Sequence, residues 1–166
     1  QTALITTTFT YIRVENMKKT LLTALSVLVT LLCSERVLAA NAGASENNFY
    51  ITANGRTFTA VFANNTSAAA LKKLLADGDL TIKMNDYGGF EKVGELGRTI
   101  PRSDEDITTE PGDIILYLGS RIVIYYDTNT WNFTRIGKIN NVSKKELLNV
   151  LGKEDVEVKF SLTKPE

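Results

Sequence analysis

Residues 112–126 read GDIILYLGSRIVIYY, two runs of apolar, β-branched and aromatic side chains, 113–118 and 121–126, joined at Gly119-Ser120. Short apolar runs bounded by turn residues are the pattern of paired strands, and continuous hydrophobicity puts such a pair in the core. Pro111-Gly112 forms the turn that opens this hairpin, and a second turn at 127–129 leads into WNFTRI, 131–136, where apolar and polar side chains alternate again. Upstream, FYITA (49–53) and RTFTAVF (56–62) flank Asn54-Gly55. That dipeptide supplies the positive φ angles of a tight primed turn, so the pair reads as a hairpin. Asn65 or Thr66 caps a short helix over 67–76, which Gly78 ends in the left-handed conformation. A strand over 80–84 then runs into a loop at Asn85, and residues 91–112 read as one long polar connection. Ser143 and Glu146 make a capping box for a second helix ended by Gly152, and a strand over 156–162 closes the chain. Two short helices are too few for βαβ units. About seven strands with two helices predict a mainly β fold, a closed or nearly closed β-barrel with helical lids.

The composition of the 166 residues narrows the chemistry. There is no histidine and a single cysteine, and 19 basic residues balance 19 acidic ones. Ser-His-Asp triads, His-ligated metal sites and disulfide scaffolds are therefore excluded. One sizeable core, hence one domain, is expected at this length.

The N-terminal part reads differently from the rest. Residues 1–16 precede Met17 and read as translated upstream sequence or a cloning remnant. Met17-Lys18-Lys19, the uncharged apolar stretch 20–32 and the small-residue exit at Val37-Leu38-Ala39-Ala40 have the layout of a signal peptide, cleaved after Ala39 or Ala40. The stretch is shorter than the roughly 20 apolar residues of a membrane span. An uncleaved anchor and a lipidated Cys33 are the alternatives. Against lipidation, Thr30-Leu31-Leu32 puts no small residue directly before Cys33. Residues 41–48 form a polar linker, and the domain occupies 49–162. Export to the periplasm or the extracellular space is expected, with no stable membrane span once the signal is removed. Removing Arg13, Lys18, Lys19 and Arg36 with Glu15 and Glu35 leaves 15 basic and 17 acidic residues. So weak a balance offers no electrostatic footprint for nucleic acid. The Lys-Lys region looks bacterial, so the four Asn-X-Ser/Thr acceptor patterns are read as chance.

From Met84 to Ile139 the chain runs MNDYGGFEKVGELGRTIPRSDEDITTEPGDIILYLGSRIVIYYDTNTWNFTRIGKI. Its MNDYG motif, the Glu91-Lys92 pair, the LGR-x-x-PRSD loop from Leu96, the PGD at 111–113 and the W-x-x-T-R-x-G-K-I ending resemble the bacterial cyclophilin-like domain family. The resemblance covers essentially the whole mature domain. It implies a cyclophilin-like closed β-barrel capped by two short helices. Cyclophilins are prolyl isomerases in which a guanidinium approaches the proline nitrogen and weakens a resonance barrier of about 18–20 kcal/mol. Their phenylalanine-histidine-arginine and glutamine-glycine-glycine-aspartate motifs are absent here, so no residue takes the catalytic role by resemblance. Fold does not fix function.

The residues themselves point to recognition. Asn85, Asp86, Tyr87, Glu91, Lys92, Arg98 and Arg102 concentrate polar groups in one glycine-flanked region, and arginines there would hold a carboxylate or phosphate. The same charges also read as internal pairs, Asp86 and Glu91 with Lys92, Arg98 or Arg102, pinning a long connection. Trp131, Phe133 and Arg135 alternate along a strand and would share one face, an aromatic platform with a cation beside it. The plainer reading buries Trp131 and Phe133 in the core. Tyr125 and Tyr126 must point to opposite faces. Asp104, Asp106 and Glu110 lack the spacing of a calcium loop, and neither a metal nor a cofactor is expected. No carboxylate spacing signals glycoside hydrolysis. The expectation is a non-catalytic binding module for a small ligand or an extended peptide; the alternative is a peptidyl-prolyl cis-trans isomerase assisting exported proteins. The oligomeric state is left open.

Overall fold

The computed structural model describes residues 47–165. The upstream segment, the signal peptide and most of the linker fall outside them. The described chain forms nine strands and two helices: β1 (Asn48–Ala53), β2 (Arg56–Phe62), α1 (Thr66–Asp77), β3 (Leu80–Tyr87), β4 (Glu91–Glu95), β5 (Glu105–Thr108), β6 (Asp113–Tyr117), β7 (Arg121–Tyr125), β8 (Thr130–Ile139), α2 (Lys144–Leu151) and β9 (Val156–Ser161). Every pairing is antiparallel. The order β2-β1-β9-β3-β4-β7-β6-β8 returns to β2, which closes an eight-stranded barrel, and β5 is added to β8. The mainly β, helix-capped barrel is the architecture anticipated from the sequence.

The first hairpin turns at Asn54 (φ 46°) and Gly55 (φ 75°), as the Asn-Gly pair requires. The central hairpin turns one residue earlier than the sequence indicates. Leu118 (φ 50°) and Gly119 (φ 78°) are its corner residues, and Ser120 N–H donates to the Tyr117 carbonyl at 3.2 Å. Both helices are capped as expected. Asn65 accepts from Ala68 N–H at 2.8 Å, and both halves of the Ser143–Glu146 capping box are formed. Gly78 does end α1, but at φ 153° and ψ 165°, a conformation open essentially to glycine alone and not the left-handed one anticipated.

The largest departure lies in residues 85–112. β3 continues through Asn85 and Asp86 to Tyr87, and Glu91–Glu95 is a full barrel strand between β3 and β7. Glu105–Thr108 is a strand as well. The stretch reads as loop because its inward positions include Lys92 and Gly94, so the alternation of apolar with polar side chains is lost.

The barrel is filled by alternate residues of its strands, among them Phe49, Ile51, Phe62, Ile82, Met84, Ile114, Ile124, Ile136 and Phe160, with Leu71 and Leu75 of α1 and Leu147 and Leu151 of α2 packed on the same core. Glycine is needed at two crossings. A Cβ at Gly137 would lie 2.9 Å from the Phe49 ring and 2.9 Å from the Val61 carbonyl oxygen, and one at Gly94 would lie 2.4 Å from Ile82. Gly137 pairs with Phe62 across the β2–β8 seam, so its bareness lets the last two strands close over Phe49. Among the described residues, no helix is long and apolar enough to cross a membrane. Gly137→Ala is expected to destabilise the domain by about 1–3 kcal/mol in urea unfolding, the usual cost of overpacking a filled core, whereas an unchanged midpoint would show that the seam has slack.

Candidate functional site: a groove on the outer face of the barrel

Strand register places three rows of side chains on the outer face of β3, β4 and β7. In the first row Glu91 stands opposite Tyr87 on one side and Tyr125 on the other. In the second Val93 stands between Asn85 and Val123, and in the third Glu95 pairs with Arg121. A groove of about 740 Å³ runs over these rows. Its remaining lining includes Phe90, Tyr117, Trp131 and Phe133.

The apolar floor is a second hydrophobic cluster, separate from the barrel interior: Ile115, Val123, Tyr125 and Phe133, with Phe90, Val93, Ile107 and Tyr117 against them. It exists because β8 is longer than the barrel needs. Residues 134–139 of β8 pair with β6 and β2, whereas 130–133 pair with β5 alone. A register irregularity at Ile114/Ile115, opposite Arg135 and Gly137, falls within the barrel-paired part of β8, shortly after the β5-paired residues. A bulge of this kind bends a strand. The β5–β8 ribbon therefore brings Trp131, Phe133 and Ile107 to the outer face. Four rings form a chain along the groove, Tyr87 to Phe90 at 6.0 Å, Phe90 to Tyr125 at 6.2 Å and Tyr125 to Phe133 at 5.7 Å between centroids. Trp131 is 65% exposed and Tyr87 64% exposed. The core reading of Trp131 is overturned. Phe133 is buried, but in the outer cluster and not in the barrel.

Glu91 sets the electrostatics. It is 8% exposed, and its Oε2 has no hydrogen-bond partner. Burial raises its pKa above the usual carboxylate range, opposed only in part by the Tyr125 hydroxyl. Burial and the adjacent Glu91 raise the Tyr125 phenol in turn, while Asn129 Nδ2 donates to that phenol oxygen at 3.3 Å. The two cations in the lining are already engaged: Arg121 Nε is 2.6 Å from Glu95, and Lys83 Nζ is 3.0 Å from Asp155.

The residues anticipated from sequence divide into two groups. Asn85, Asp86, Tyr87, Glu91 and Trp131 line the groove. Lys92, Arg98, Arg102 and Arg135 do not. Lys92 is fully buried on the opposite side of β4, its ammonium 2.8 Å from the Glu154 carbonyl oxygen and 3.6 Å from Asp86. Tyr126 points inward beside it, donates to Asp86 and lies 3.1 Å from the Glu91 carbonyl oxygen. The Tyr126 hydroxyl, helped by Gly89 N–H and Lys92, holds the Asp86 carboxyl below its ordinary range against the effect of burial. This cluster is the internal pairing foreseen for Asp86 and Lys92. Arg102 is bound to Asp104, and Arg135 faces the buried Asp113 carboxylate at 3.1 Å. Arg98 is exposed outside the groove. The arginines therefore do not converge with Trp131 on one anion site. Sequence reasoning passed over Phe90, Tyr117, Arg121 and Val123; for Arg121 and Val123 the signal was the period-two alternation of β7 with Tyr125, legible once Glu91–Glu95 is recognised as its neighbouring strand.

The cyclophilin-like family model matches residues 51–161, nearly the whole described domain. The chain belongs to the cyclophilin-like family. The solution structure of the hypothetical protein AF2241 from Archaeoglobus fulgidus is similar to this family member, with a TM-score of 0.54 at 14% identity over 72% of this chain and 96% of that one. That likeness concerns the fold alone. Comparison with curated proteins found no match.

The Glu91 shift has a signed consequence. A carboxyl whose pKa is higher in the fold than in the unfolded chain binds its proton more tightly when folded, so its contribution to stability falls as pH rises above the unfolded value of about 4.5. The stability gap between Glu91→Gln and the parent chain should widen in favour of the variant from pH 4 to pH 7. A gap constant across that range in chemical unfolding would show that Glu91 is not desolvated.

Proposed function

We propose that this chain is an exported, non-catalytic binding module that holds a small ligand or an extended peptide in the groove on the outer face of its barrel. The observation carrying this reading is the 740 Å³ groove itself, floored by an aromatic cluster and rimmed by the exposed Trp131 and Tyr87. Ligand sites are concave, mostly apolar and supplied with a few converging polar groups, and volumes of about 300–1,000 Å³ are typical. Leaving a tryptophan ring in water costs hydrophobic free energy that a ligand lying on it recovers.

Isomerisation is the weaker reading for a specific reason. It needs a guanidinium free to approach a prolyl nitrogen, and the arginine in this groove, Arg121, is held by Glu95. The chain has one tryptophan, so intrinsic fluorescence reports directly on the groove. Titration with a set of aromatic and aliphatic fragments and proline-containing peptides should produce a saturable shift in Trp131 emission. A chymotrypsin-coupled peptide assay should show no acceleration of the cis-to-trans phase. Silence from Trp131 across the set would sink the binding reading, and an accelerated phase abolished by Arg121→Ala would replace it with isomerisation.

Export rests on the Met17-Lys18-Lys19 start, the uncharged stretch 20–32 and the small-residue exit at Ala39-Ala40. N-terminal sequencing of the secreted form should begin at Ala40 or Asn41. A secreted form beginning upstream of Val37 would contradict this cleavage.

A further inference from the structure

We propose that the groove recognises a protonated amine on an apolar or aromatic stem, the ammonium binding between Tyr87 and Tyr125 against the Glu91 carboxylate. This rests on the groove being a binding site and names the chemistry it selects.

Three observations converge on it. Glu91 is more than nine-tenths buried, lines the groove, and has an oxygen with no hydrogen-bond partner. An unpartnered carboxylate out of water is costly, and a cation is the partner that relieves the cost. The groove lining supplies none among the described residues: its cations Lys83 and Arg121 are committed to Asp155 and Glu95, and Lys92 lies on the inner side of β4 with Asp86 and the Glu154 carbonyl. Finally, Glu91 is flanked across the strands by Tyr87 and Tyr125, with the Phe90 ring against both. Aromatic faces attract an ammonium through their quadrupole and repel an anion.

The geometry also explains selection against other charges. An anionic ligand would place its charge beside a buried carboxyl. A neutral hydroxyl can donate a hydrogen bond to that carboxyl but brings no charge to offset the ionised form. The terminal torsion of a glutamate side chain is broad and two-fold, so rotation brings either oxygen to the groove. Binding is coupled to proton release, because the free carboxyl holds its proton above the ordinary range and the ammonium favours the ionised form. The titratable and charged neighbours are Tyr87 and Asp86 on β3, Lys92 next along β4, Tyr125 on β7 with Tyr126 just beyond it and, a row or more away, the Arg121–Glu95 and Lys83–Asp155 pairs.

The test uses three probes of one shape, phenethylamine, phenethyl alcohol and phenylacetate, titrated into the purified protein and followed by Trp131 emission. A blocked tripeptide with a central lysine, and its acetyl-lysine form, separate a peptide source of the ammonium from a free amine. The expected result is that phenethylamine binds at least about 10-fold more tightly than the alcohol, the range of a hydrogen bond to a charged group. Glu91→Gln should abolish that preference while leaving the alcohol's affinity within about 2-fold, less than the effect of one hydrogen bond to a charged group. Amine affinity in the parent chain should rise with pH above about 4.5 and be flat in the variant. Retained binding of the alcohol shows that Glu91→Gln is folded, and the pH profile of the parent chain tests the assignment without any variant. If alcohol and amine bind equally, or acidification tightens the amine, the ammonium assignment is overturned and the groove reading stands. If no probe binds, the groove reading itself fails and the assignment with it.

Discussion

Closure of the barrel depends on how much one strand is asked to do. β8 pairs with β6 along one edge, meets β2 along the other to seal the barrel, and sends its first residues out to pair with β5. Its ladder to β6 is interrupted by a register shift. Gly137 removes the Cβ that would meet Phe49 and the Val61 carbonyl, and the irregularity beside it changes the strand's direction. Asn65 reinforces the same place from α1, capping the helix with its oxygen while its amide donates to the Arg135 carbonyl at 2.7 Å. Without this bend the aromatic half of β8 would continue the wall of the barrel and the outer face would carry no cluster.

Two polar systems follow from that division of the sheet. Inside, Lys92, Asp86 and Tyr126 satisfy one another at the end of the barrel, with the Glu154 carbonyl completing the ammonium's partners. A buried charge arranged this way serves the fold, since removing one partner would strand the others. Outside, one residue earlier on the same strand, Glu91 has a phenol on either side and no cation. Adjacent residues of one strand thus have opposite roles because their side chains point to opposite faces. The inner groups partner one another; the outer carboxyl keeps an oxygen without a hydrogen-bond partner.

Much of this was legible in the chain. Asn54-Gly55, the Ser143–Glu146 box and the β-branched runs around Gly119 each carry a local physical demand, and each produced the element it implies. Glu91–Glu95 was not legible as a strand. Lysine and glycine occupy its inward positions, and both fit only because of distant residues: Lys92 finds Glu154 and Asp86, and Gly94 faces Ile82 and Met84. The arginines were misleading for a related reason. Residue type announces a capacity to hold an anion, but Asp104 and Asp113 take up Arg102 and Arg135 within the protein.

By itself the sequence determined the barrel class, the capping helices and the kinds of group available for chemistry, because composition, turn geometry and helix caps act over a few residues. It also brought forward Asn85, Asp86, Tyr87, Glu91 and Trp131, which line the groove, together with Lys92, Arg98, Arg102 and Arg135, which do not. Tertiary structure decided which of these charges are paired internally and which face the groove. That choice depends on strand register across β3, β4 and β7 and on the outward turn of β8, where contacts many residues apart in the chain place a carboxyl between two tyrosines.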